Sequence, residues 1–328
     1  MPTPRVETET WETRWLSERA RRAAESKGRD RLEQEDDLRT CFQRDRDRIV
    51  HAKAFRRLAH KTQVFLAPEG DHYRVRLTHT LEVTQVARTI ARALRLNEDL
   101  TEAICLGHDL GHTPFGHLGE EVVAEFSPGF RHNLQSVRIV EVLEDLNLTW
   151  EVRDGIANHT WSMPMPETLE GQIARFADRI AYLNHDIDDA VRAGILDHAD
   201  LPRATTEVLG ATHSERIHRM VGDLVTASAG GSEIRMTPEV FDAMAETRSF
   251  LFERVYLGRV APETRDRVRT ILMTLLQHHA QDEPESPSSA PDGRQRAVDY
   301  VAGMTDRFAL RAYTHLSGDG FPDGGLLG

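Results

Sequence analysis

Apolar residues recur at helical spacing along most of this chain, and this periodicity constrains the fold more than any other feature. After His79, the apolar positions Val83, Val86 and Ile90 step by four, three and four residues, so they share one helix face with His79. Runs of β-branched and aromatic residues that favour strands are scarce, and aromatic residues make up only 6% of the chain. The pattern predicts an all-α fold.

Two predicted helices place polar residues at a core. The first covers residues 77–95 and carries a histidine on its buried stripe. The second begins after Asn97, a good N-cap residue, and Gly111 is suited to its end. This spacing predicts that His108 and Asp109 lie in the last turn of a core helix.

A third long helix is predicted over residues 168–191. Asp178, Tyr182 and Asp186 recur there at every fourth position beside the apolar face, and Arg179 adjoins them. A polar row of this kind is typical of a helix that lines a buried cavity. Further helical patterns occur at 12–27, 134–148, 214–228, 238–258, 262–280 and 294–316, whereas 281–291 is predicted to be a loop.

The net charge of −12 argues against a chain built to coat nucleic acid, because phosphate binding needs concentrated Lys and Arg. Residues 44–61 are a local exception, with seven Lys or Arg against two Asp. This stretch is either a solvated charged face or an anion clamp, and a clamp would matter only if a nearby site binds an anion.

The chain shows no sign of export or membrane insertion. Its two cysteines, Cys41 and Cys105, have no paired metal-type spacing, so reduced thiols are expected. No signal peptide is visible, and no apolar run approaches the ~20 residues of a membrane helix. These features predict a cytoplasmic protein without membrane partners.

Histidine is unusually clustered, most of all in GHDLGHTPFGHLGEE at 107–121. His79, His108, Asp109 and Asp178 come from three predicted helices and would supply two imidazoles and two carboxylates. A mixed nitrogen and oxygen site suits Mn²⁺, Fe²⁺, Zn²⁺ or Mg²⁺ and leaves positions for water and substrate oxygen. Taken singly, a histidine on an apolar face is more often a satisfied core residue than a metal ligand.

Other residues of the same stretch suit proton transfer. His112 and His117 follow the His108–Asp109 pair and would lie past the helix end, where general acid–base groups belong. Glu120 lies one helical turn beyond His117 and could orient it. The alternative for each of these residues alone is a surface position.

The metal-type pattern resembles the HD-domain metal-dependent phosphohydrolase superfamily. The flanking sequences are more specific, and they resemble its deoxyguanosine triphosphate triphosphohydrolase (dGTPase)-like branch. The segments that carry the resemblance are RDRDRIVHAKAFRRLAHKTQVF, RLTHTLEV, GHDLGHTPFGHLGEE, FRHNLQSVR, LEGQIARFADRIAYLNHDIDDAVRAGIL and AVDYVAGMTDRFAL. They extend from about residue 40 to residue 310.

The resemblance implies an HD-domain helical bundle with additional C-terminal helices and a role for each matched residue. His79, His108, Asp109 and Asp178 match the metal ligands. The matched active-site groups are His112, His117 as proton donor to the leaving group, and Glu120 as its acid partner. The matched substrate contacts are Gln63 and Asp186 for the deoxyribose, and Arg76, His132, Arg179 and Tyr182 for the phosphates. The chain departs from the family pattern at Asn133, where relatives carry an acid.

The implied reaction is attack of water on the α-phosphorus of a deoxynucleoside triphosphate, which releases the deoxynucleoside and triphosphate. With this reaction, bases from 53–61 are expected to serve the outer phosphates. The implied cofactor is a divalent metal ion, Mn²⁺ or Mg²⁺ first and Fe²⁺, Zn²⁺ or Ni²⁺ next. A homo-oligomer and weak single-stranded nucleic acid binding are also expected. We predict an N-terminal extension at 1–40, the phosphohydrolase domain at 41–310 and a flexible tail at 311–328.

Two alternatives remain open at this stage. One is another HD-type activity, such as a nucleoside monophosphatase or a cyclic-nucleotide phosphodiesterase. The other is a metal-stabilised regulatory or single-strand-binding protein without turnover. Base preference, the native metal, the oligomeric state and activation by a second nucleotide are not marked by any motif.

Overall fold

The structure, a computed structural model, describes residues 2–63, 74–257, 262–281, 290 and 292–318. Within these ranges the chain is helical, and its β-type pairing is confined to the isolated bridges Arg29–Thr149 and Thr62–Val75. The predicted all-α fold is therefore confirmed. The helices are α1 Pro4–Trp15, α2 Cys41–His51, α3 Lys53–Arg57, α4 Arg76–Ala93, α5 Glu98–Gly107, α6 Gly116–Phe126, α7 His132–Arg138, α8 Trp150–Asn158, α9 Leu169–Arg192, α10 His213–Ser228, α11 Pro238–Leu251, α12 Pro262–Gln281, α13 Gly293–Ala302 and α14 Asp306–Ser317.

The chain divides into two compact units, each assembled from three separated segments. Unit 1 combines residues 1–46, 81–105 and 149–260, and unit 2 combines residues 47–80, 106–148 and 261–328. In unit 1, the long helix α9 packs against α8, α10 and α11. In unit 2, α12 packs against α6, α13 and α14 around buried aliphatic residues such as Leu272 and Val301.

The starts of two helices follow directly from their capping residues. The Leu100 amide donates to Asn97 Oδ1 at 3.1 Å, so Asn97 caps α5 as predicted. Thr168 caps α9 in the same way, because its hydroxyl accepts a hydrogen bond from the Gly171 amide at 3.1 Å. These caps fix the two helices that carry or precede most of the predicted site residues.

The N-terminal helix differs from the prediction. It spans Pro4–Trp15 rather than 12–27, and the chain turns into extended backbone at Leu16. Pro4 is favoured in the first turn of a helix, which fixes the start. Buried Glu12 accepts a hydrogen bond from the Ala23 amide at 2.7 Å, and this contact requires the chain to fold back after the helix.

The C-terminal pattern at 294–316 contains two helices, α13 and α14, separated by a short break. α14 continues to Ser317, so the first part of the predicted flexible tail is helical instead. Most of the predicted loop at 281–291, and the tail from 319 onward, lie outside the described residues. The predicted boundaries near residues 40 and 310 stay predictions. In the part of the chain that the structure describes, no helix is long and apolar enough to cross a membrane.

Glu170 in unit 1 provides a test of the fold through pH. Its side chain is fully buried, and Oε1 accepts hydrogen bonds from the amides of Arg21 and Asn97 at 3.0 Å each. Burial raises the pKa of this carboxyl to about 7. The folded chain therefore binds more protons than the unfolded chain between about pH 4.5 and pH 7, and its stability falls as the pH rises through that window.

Replacing Glu170 by glutamine removes the ionisable group and keeps an oxygen that can accept both amides. We expect the variant to be more stable than the wild type at pH 8, by up to roughly 3 kcal/mol, because a shift from 4.5 to about 7 corresponds to about 3.4 kcal/mol. At pH 4.5 the two proteins should unfold alike. Urea unfolding at both pH values measures this, and equal stability at pH 8 would contradict the assigned cause.

Candidate active site

Three buried side chains of unit 2 form a cluster suited to a metal ion. They are His79, in the first turn of α4, and His108 and Asp109, just after α5. Their candidate ligand atoms all lie within 4.8 Å of one another. The residues are 1%, 2% and 4% exposed, and the two imidazole centroids are 5.7 Å apart. The structure thus brings together three of the four predicted ligands within one unit.

The turn that carries His108 and Asp109 is held by α7. α5 ends at Gly107, so both residues follow the helix instead of forming its last turn. Ser136 Oγ lies 2.8 Å from both the Gly111 amide nitrogen and the His108 carbonyl oxygen. A Cβ on Gly111 would lie 2.2 Å from the Ser136 nitrogen, so glycine is required there by close approach of α7 and not as a helix stop.

Arg76, a predicted phosphate contact, is paired with Asp109. Its Nη1 donates to Asp109 Oδ2 at 2.8 Å, and the arginine is 1% exposed. Burial by itself would raise the pKa of the Asp109 carboxyl, but His108 and Arg76 outweigh it and hold that pKa well below its usual range. Asp109 is therefore a carboxylate over the whole physiological pH range.

The donors present fit a divalent metal ion. Two imidazoles and one carboxylate form a mixed nitrogen and oxygen set without thiolate, the type that suits Mn²⁺, Fe²⁺, Zn²⁺ or Mg²⁺. All three side chains are buried, so their polar atoms are held away from bulk water. Coordination of a metal ion would compensate this loss of hydration.

A second polar group of unit 2 adjoins this cluster. His132, at the start of α7, hydrogen-bonds through Nδ1 to Glu120 of α6 at 2.9 Å, and its ring stacks on His112 with centroids 4.2 Å apart. His112 Nε2 lies 3.8 Å from Asp109 Oδ1. A line of contacts therefore runs from Glu120 through His132 and His112 to the metal-type cluster.

The pKa values of the two stacked histidines are shifted in opposite directions. Burial, together with Arg76 and His132, lowers the pKa of His112 well below its usual value, so its ring is neutral near pH 7. Burial also opposes the charged form of His132, but the Glu120 carboxylate outweighs burial and raises the pKa of His132. The charged form is thus disfavoured in His112 and favoured in His132, and His132 in turn helps to lower the pKa of Glu120.

His117 is the most accessible of the predicted catalytic histidines. Its side chain is 65% exposed in the first turn of α6, its Nδ1 lies 3.9 Å from Glu120 Oε2, and its ring centroid is 5.7 Å from that of His112. The shorter contacts of Glu120 are with His132, so Glu120 serves two histidines rather than His117 alone. Sequence spacing along α6 indicated only the contact with His117.

The basic stretch at 44–61 is used largely for structure. In unit 1, Arg44 bonds to Glu33 at 2.8 Å, and in unit 2, Arg48 bonds to the Leu146 carbonyl at 2.7 Å. Lys61 is fully buried and donates to the carbonyls of His112 and Ala302. Two of the three ammonium hydrogens of Lys61 are therefore engaged by main-chain carbonyl oxygens, and a role of bases from 53–61 at the outer phosphates stays a prediction.

Gln63 follows this stretch and is buried in unit 2. Its Oε1 has no hydrogen-bond partner among the described residues, and the same holds for Nε and Nη2 of Arg76. A Cβ added to Gly116 would lie 3.2 Å from the Gln63 carbonyl and 3.6 Å from Arg76 Nη2, so both residues pass close to the start of α6. Buried polar atoms of this kind are typical of a ligand-binding site.

The other predicted site residues lie on α9 in unit 1: Asp178, Arg179, Tyr182 and Asp186. The Arg179 guanidinium carbon lies 3.7 Å from the centroid of the Trp161 ring, a cation–π contact. Burial raises the pKa of Tyr182, and Arg179 and Arg248 oppose this shift.

Burial, followed by the charge of Asp178, raises the pKa of the Cys105 thiol, and both cysteines are free as predicted.

Two residues near Arg179 were missed by sequence reasoning. Arg248 of α11 forms a side-chain hydrogen bond to Tyr182, and Trp161 covers the Arg179 guanidinium. Arg248 sits in an ordinary helical pattern, so no sequence signal marks it. Trp161 follows His159 and precedes a proline-rich turn, and its contact with Arg179 depends on packing between separated segments.

Comparison with known proteins agrees with the metal-type cluster. The family described as HD domain matches residues 76–183, and the phosphohydrolase-associated domain matches residues 234–315. The chain is thus an HD-domain, metal-dependent phosphohydrolase.

Within this class, the chain is similar to curated relatives described as deoxyguanosinetriphosphate triphosphohydrolase-like proteins. The one from Caldanaerobacter subterraneus subsp. tengcongensis is 54% identical over 320 residues, which cover 94% of each chain. Those from Desulfatibacillum aliphaticivorans and Clostridium perfringens are 48% and 47% identical, each over 95% of this chain and 97% of the relative. The chain belongs to the deoxyguanosinetriphosphate triphosphohydrolase-like family, as its sequence blocks predicted.

Proposed function

We propose that the protein hydrolyses deoxynucleoside triphosphates at the α-phosphorus and releases a deoxynucleoside and triphosphate. The observation that carries the proposal is the contact line in unit 2 from His79, His108 and Asp109 through His112 to the His132–Glu120 pair. Ligands and proton-transfer groups adjoin one another there, which hydrolysis of a phosphate ester requires. The names of the relatives support a deoxynucleoside triphosphate as the substrate.

The metal ligands in this proposal are His79, His108 and Asp109, with Asp178 as the fourth. The first three rest on their measured proximity, and Asp178 rests on the sequence pattern. Mn²⁺ or Mg²⁺ is proposed as the cofactor. A divalent ion bound there would polarise a phosphoryl oxygen and lower the pKa of a nearby water.

Proton transfer is assigned to the accessible and the buried histidines in different ways. The leaving 5′-oxygen needs a proton, and His117 is proposed as its donor because its exposed ring can reach a substrate. The neutral ring of His112 can accept a hydrogen bond or a proton near the reacting phosphorus. The Glu120–His132 ion pair fixes His112 by stacking and offers positive charge to a phosphate.

Phosphate binding is assigned to arginines with donors to spare. Arg76 uses Nη1 on Asp109 and keeps Nε and Nη2 without partners among the described residues. Arg179 is buried, and its Nε likewise has no partner in the described part of the chain. Tyr182 and Arg248 add a phenol and a further positive charge beside Arg179. Gln63 and Asp186 are proposed for the deoxyribose.

The decisive experiment identifies the products. The purified protein is incubated with each of the four deoxynucleoside triphosphates, singly and mixed, with Mn²⁺ or Mg²⁺ in ¹⁸O-labelled water. We expect unlabelled deoxynucleoside and triphosphate that carries one ¹⁸O, because water attacks phosphorus. Label in the deoxynucleoside, or release of orthophosphate or pyrophosphate, would refute the proposed reaction.

Arg179 provides a second test, with Arg192 as a matched control on the same helix. Arg179→Ala should lower kcat/KM for a triphosphate about 100-fold, since a charge-assisted contact contributes up to ~3 kcal/mol, and should spare bis(p-nitrophenyl) phosphate. Arg192 is exposed at the end of α9, and Arg192→Ala should leave both activities unchanged. Equal losses of both activities in Arg179→Ala would remove its assignment to the triphosphate.

The expected homo-oligomer and the weak binding of single strands stay predictions. Light scattering measures the first. For the second, binding of a labelled oligodeoxynucleotide at several salt concentrations is informative, because contacts with phosphates weaken steeply as salt rises.

A further inference from the structure

The segment AVDYVAGMTDRFAL at 297–310 contributes no residue to the proposed chemistry, yet three of its residues bind main chain or side chains next to the site. We name Asp299, Ala302 and Asp306 the C-terminal clamp. Asp299 lies in α13, Ala302 ends it, and Asp306 begins α14. All contacts described below lie within unit 2.

Asp306 joins two separate segments of the site. Its Oδ2 accepts hydrogen bonds from the Thr62 hydroxyl and from the Thr62 amide, the latter at 3.0 Å. Its Oδ1 accepts from the Phe115 amide at 3.0 Å. Thr62 immediately precedes Gln63, and Phe115 lies between His112 and His117.

Ala302 and Asp299, the other two residues of the C-terminal clamp, also accept hydrogen bonds from segments next to the site. Lys61 Nζ donates to the Ala302 carbonyl at 2.8 Å and also to the His112 carbonyl. Arg138 donates twice to Asp299, at 2.7 Å each, and so ties α7, the helix that begins with His132, to α13. The clamp therefore contacts each segment of unit 2 that carries a proposed catalytic histidine.

The turn held by Asp306 has an unusual backbone. Phe115 has φ +63° and Gly116 has φ +59°, so two consecutive residues are left-handed. This conformation costs roughly 1–2 kcal/mol for a non-glycine residue such as phenylalanine. The hydrogen bond from the Phe115 amide to Asp306 compensates part of this cost and selects the left-handed turn over alternatives. The turn determines where His117 lies relative to His112.

We propose that Asp306 is a positioning residue for hydrolysis, which fixes the turn between His112 and His117 and the approach to Gln63. The proposal rests on the proposed roles of the two histidines. Asp306 does not touch the reacting groups itself. Its contribution is geometric, because a catalytic group displaced by about 1 Å can lose ~100-fold in rate.

The test combines kinetics with amide hydrogen exchange in Asp306→Asn. The amide group of asparagine has one acceptor oxygen in place of two, so it cannot accept from both Thr62 and Phe115. We expect faster exchange at Thr62 and Phe115, unchanged exchange along α9, unchanged metal content, and a kcat lowered about 10- to 100-fold with KM altered much less. The kinetics use both a deoxynucleoside triphosphate and bis(p-nitrophenyl) phosphate.

The matched control is Asp292→Asn. Asp292 caps α13, the neighbouring helix, by accepting from the Arg294 amide at 3.1 Å, and it makes no described contact with the site segments. It should leave kcat and exchange at Thr62 and Phe115 unchanged. Thr62→Val offers a further check, since its effect on kcat should be non-additive with that of Asp306→Asn.

Three outcomes would overturn the proposal: unchanged kcat in Asp306→Asn, unchanged exchange at Thr62 and Phe115, or faster exchange throughout the chain including α9. The last would indicate general destabilisation. If the wild type cleaves the diester but no deoxynucleoside triphosphate, the proposed function fails, and diester kinetics with hydrogen exchange still decide the role of Asp306.

Discussion

Asp109→Ala is expected to lose both bound metal and hydrolysis. Asp109 is the only carboxylate in the buried cluster with His79 and His108, and its oxygen also pairs with Arg76. Without it, the two imidazoles of the cluster and the proposed fourth ligand, Asp178, remain to hold a divalent ion. Turnover should fall at least about 1,000-fold, which corresponds to ~4 kcal/mol of transition-state stabilisation.

The measurement is metal content by elemental analysis after dialysis, together with the rate of hydrolysis. Alanine also leaves the buried Arg76 guanidinium without its carboxylate. Loss of one partner of a buried ion pair lowers the free energy of unfolding by roughly 3–5 kcal/mol. Asp109→Asn therefore serves as a second variant, since it keeps the volume and one acceptor for Arg76. A folded Asp109→Asn protein with full metal content would exclude Asp109 as a ligand.

His117→Ala is expected to separate chemistry from metal binding. The side chain is largely exposed and lies beside Glu120 and His112, outside the buried cluster. Removal of a proton donor typically costs roughly 100- to 10,000-fold in rate, so turnover should fall within that range while metal content stays at the wild-type level. A substrate with a better leaving group should recover part of the rate, because it needs less protonation.

The matched control is His218→Ala, which removes an exposed histidine from α10. It should change neither metal content nor rate. Loss of metal from His117→Ala would show that the division between ligands and proton-transfer groups is wrong. If His117→Ala lowered the rate by the same factor for substrates with poor and with good leaving groups, His117 would not be the proton donor.

The sequence predicted the parts of this structure that depend on local patterns. The all-α fold, the cap at Asn97 and the long helix α9 follow from periodicity and capping, which neighbouring residues determine. The proximity of His79 to His108 and Asp109 was also anticipated, because His79 lies on the apolar stripe of one helix and His108 and Asp109 lie at the end of another core helix. The N-terminal helix was misplaced because Glu12 and Ala23 meet through a fold-back that periodicity does not encode.

Contacts between distant segments account for what the sequence did not reveal in the site. Lys61 was expected to face phosphates, but its partners are two carbonyls, one of them more than two hundred residues away along the chain. Glu120 was assigned to His117 by helical spacing, whereas its shortest contacts are to His132 in the next helix. Charge and spacing indicate that such residues are polar and near a site, and tertiary packing determines which partner each one meets.

The order of segments within unit 2 has a consequence for synthesis of the protein. His79, His108 and His112 leave the ribosome long before Asp299, Ala302 and Asp306, which secure their surroundings. A growing chain can form α4 and α5 early, but the left-handed turn at Phe115 lacks its acceptor until residue 306 has emerged. We therefore expect nascent chains to hold these histidines in an unfixed arrangement, and to reach the arrangement proposed for hydrolysis only late in translation.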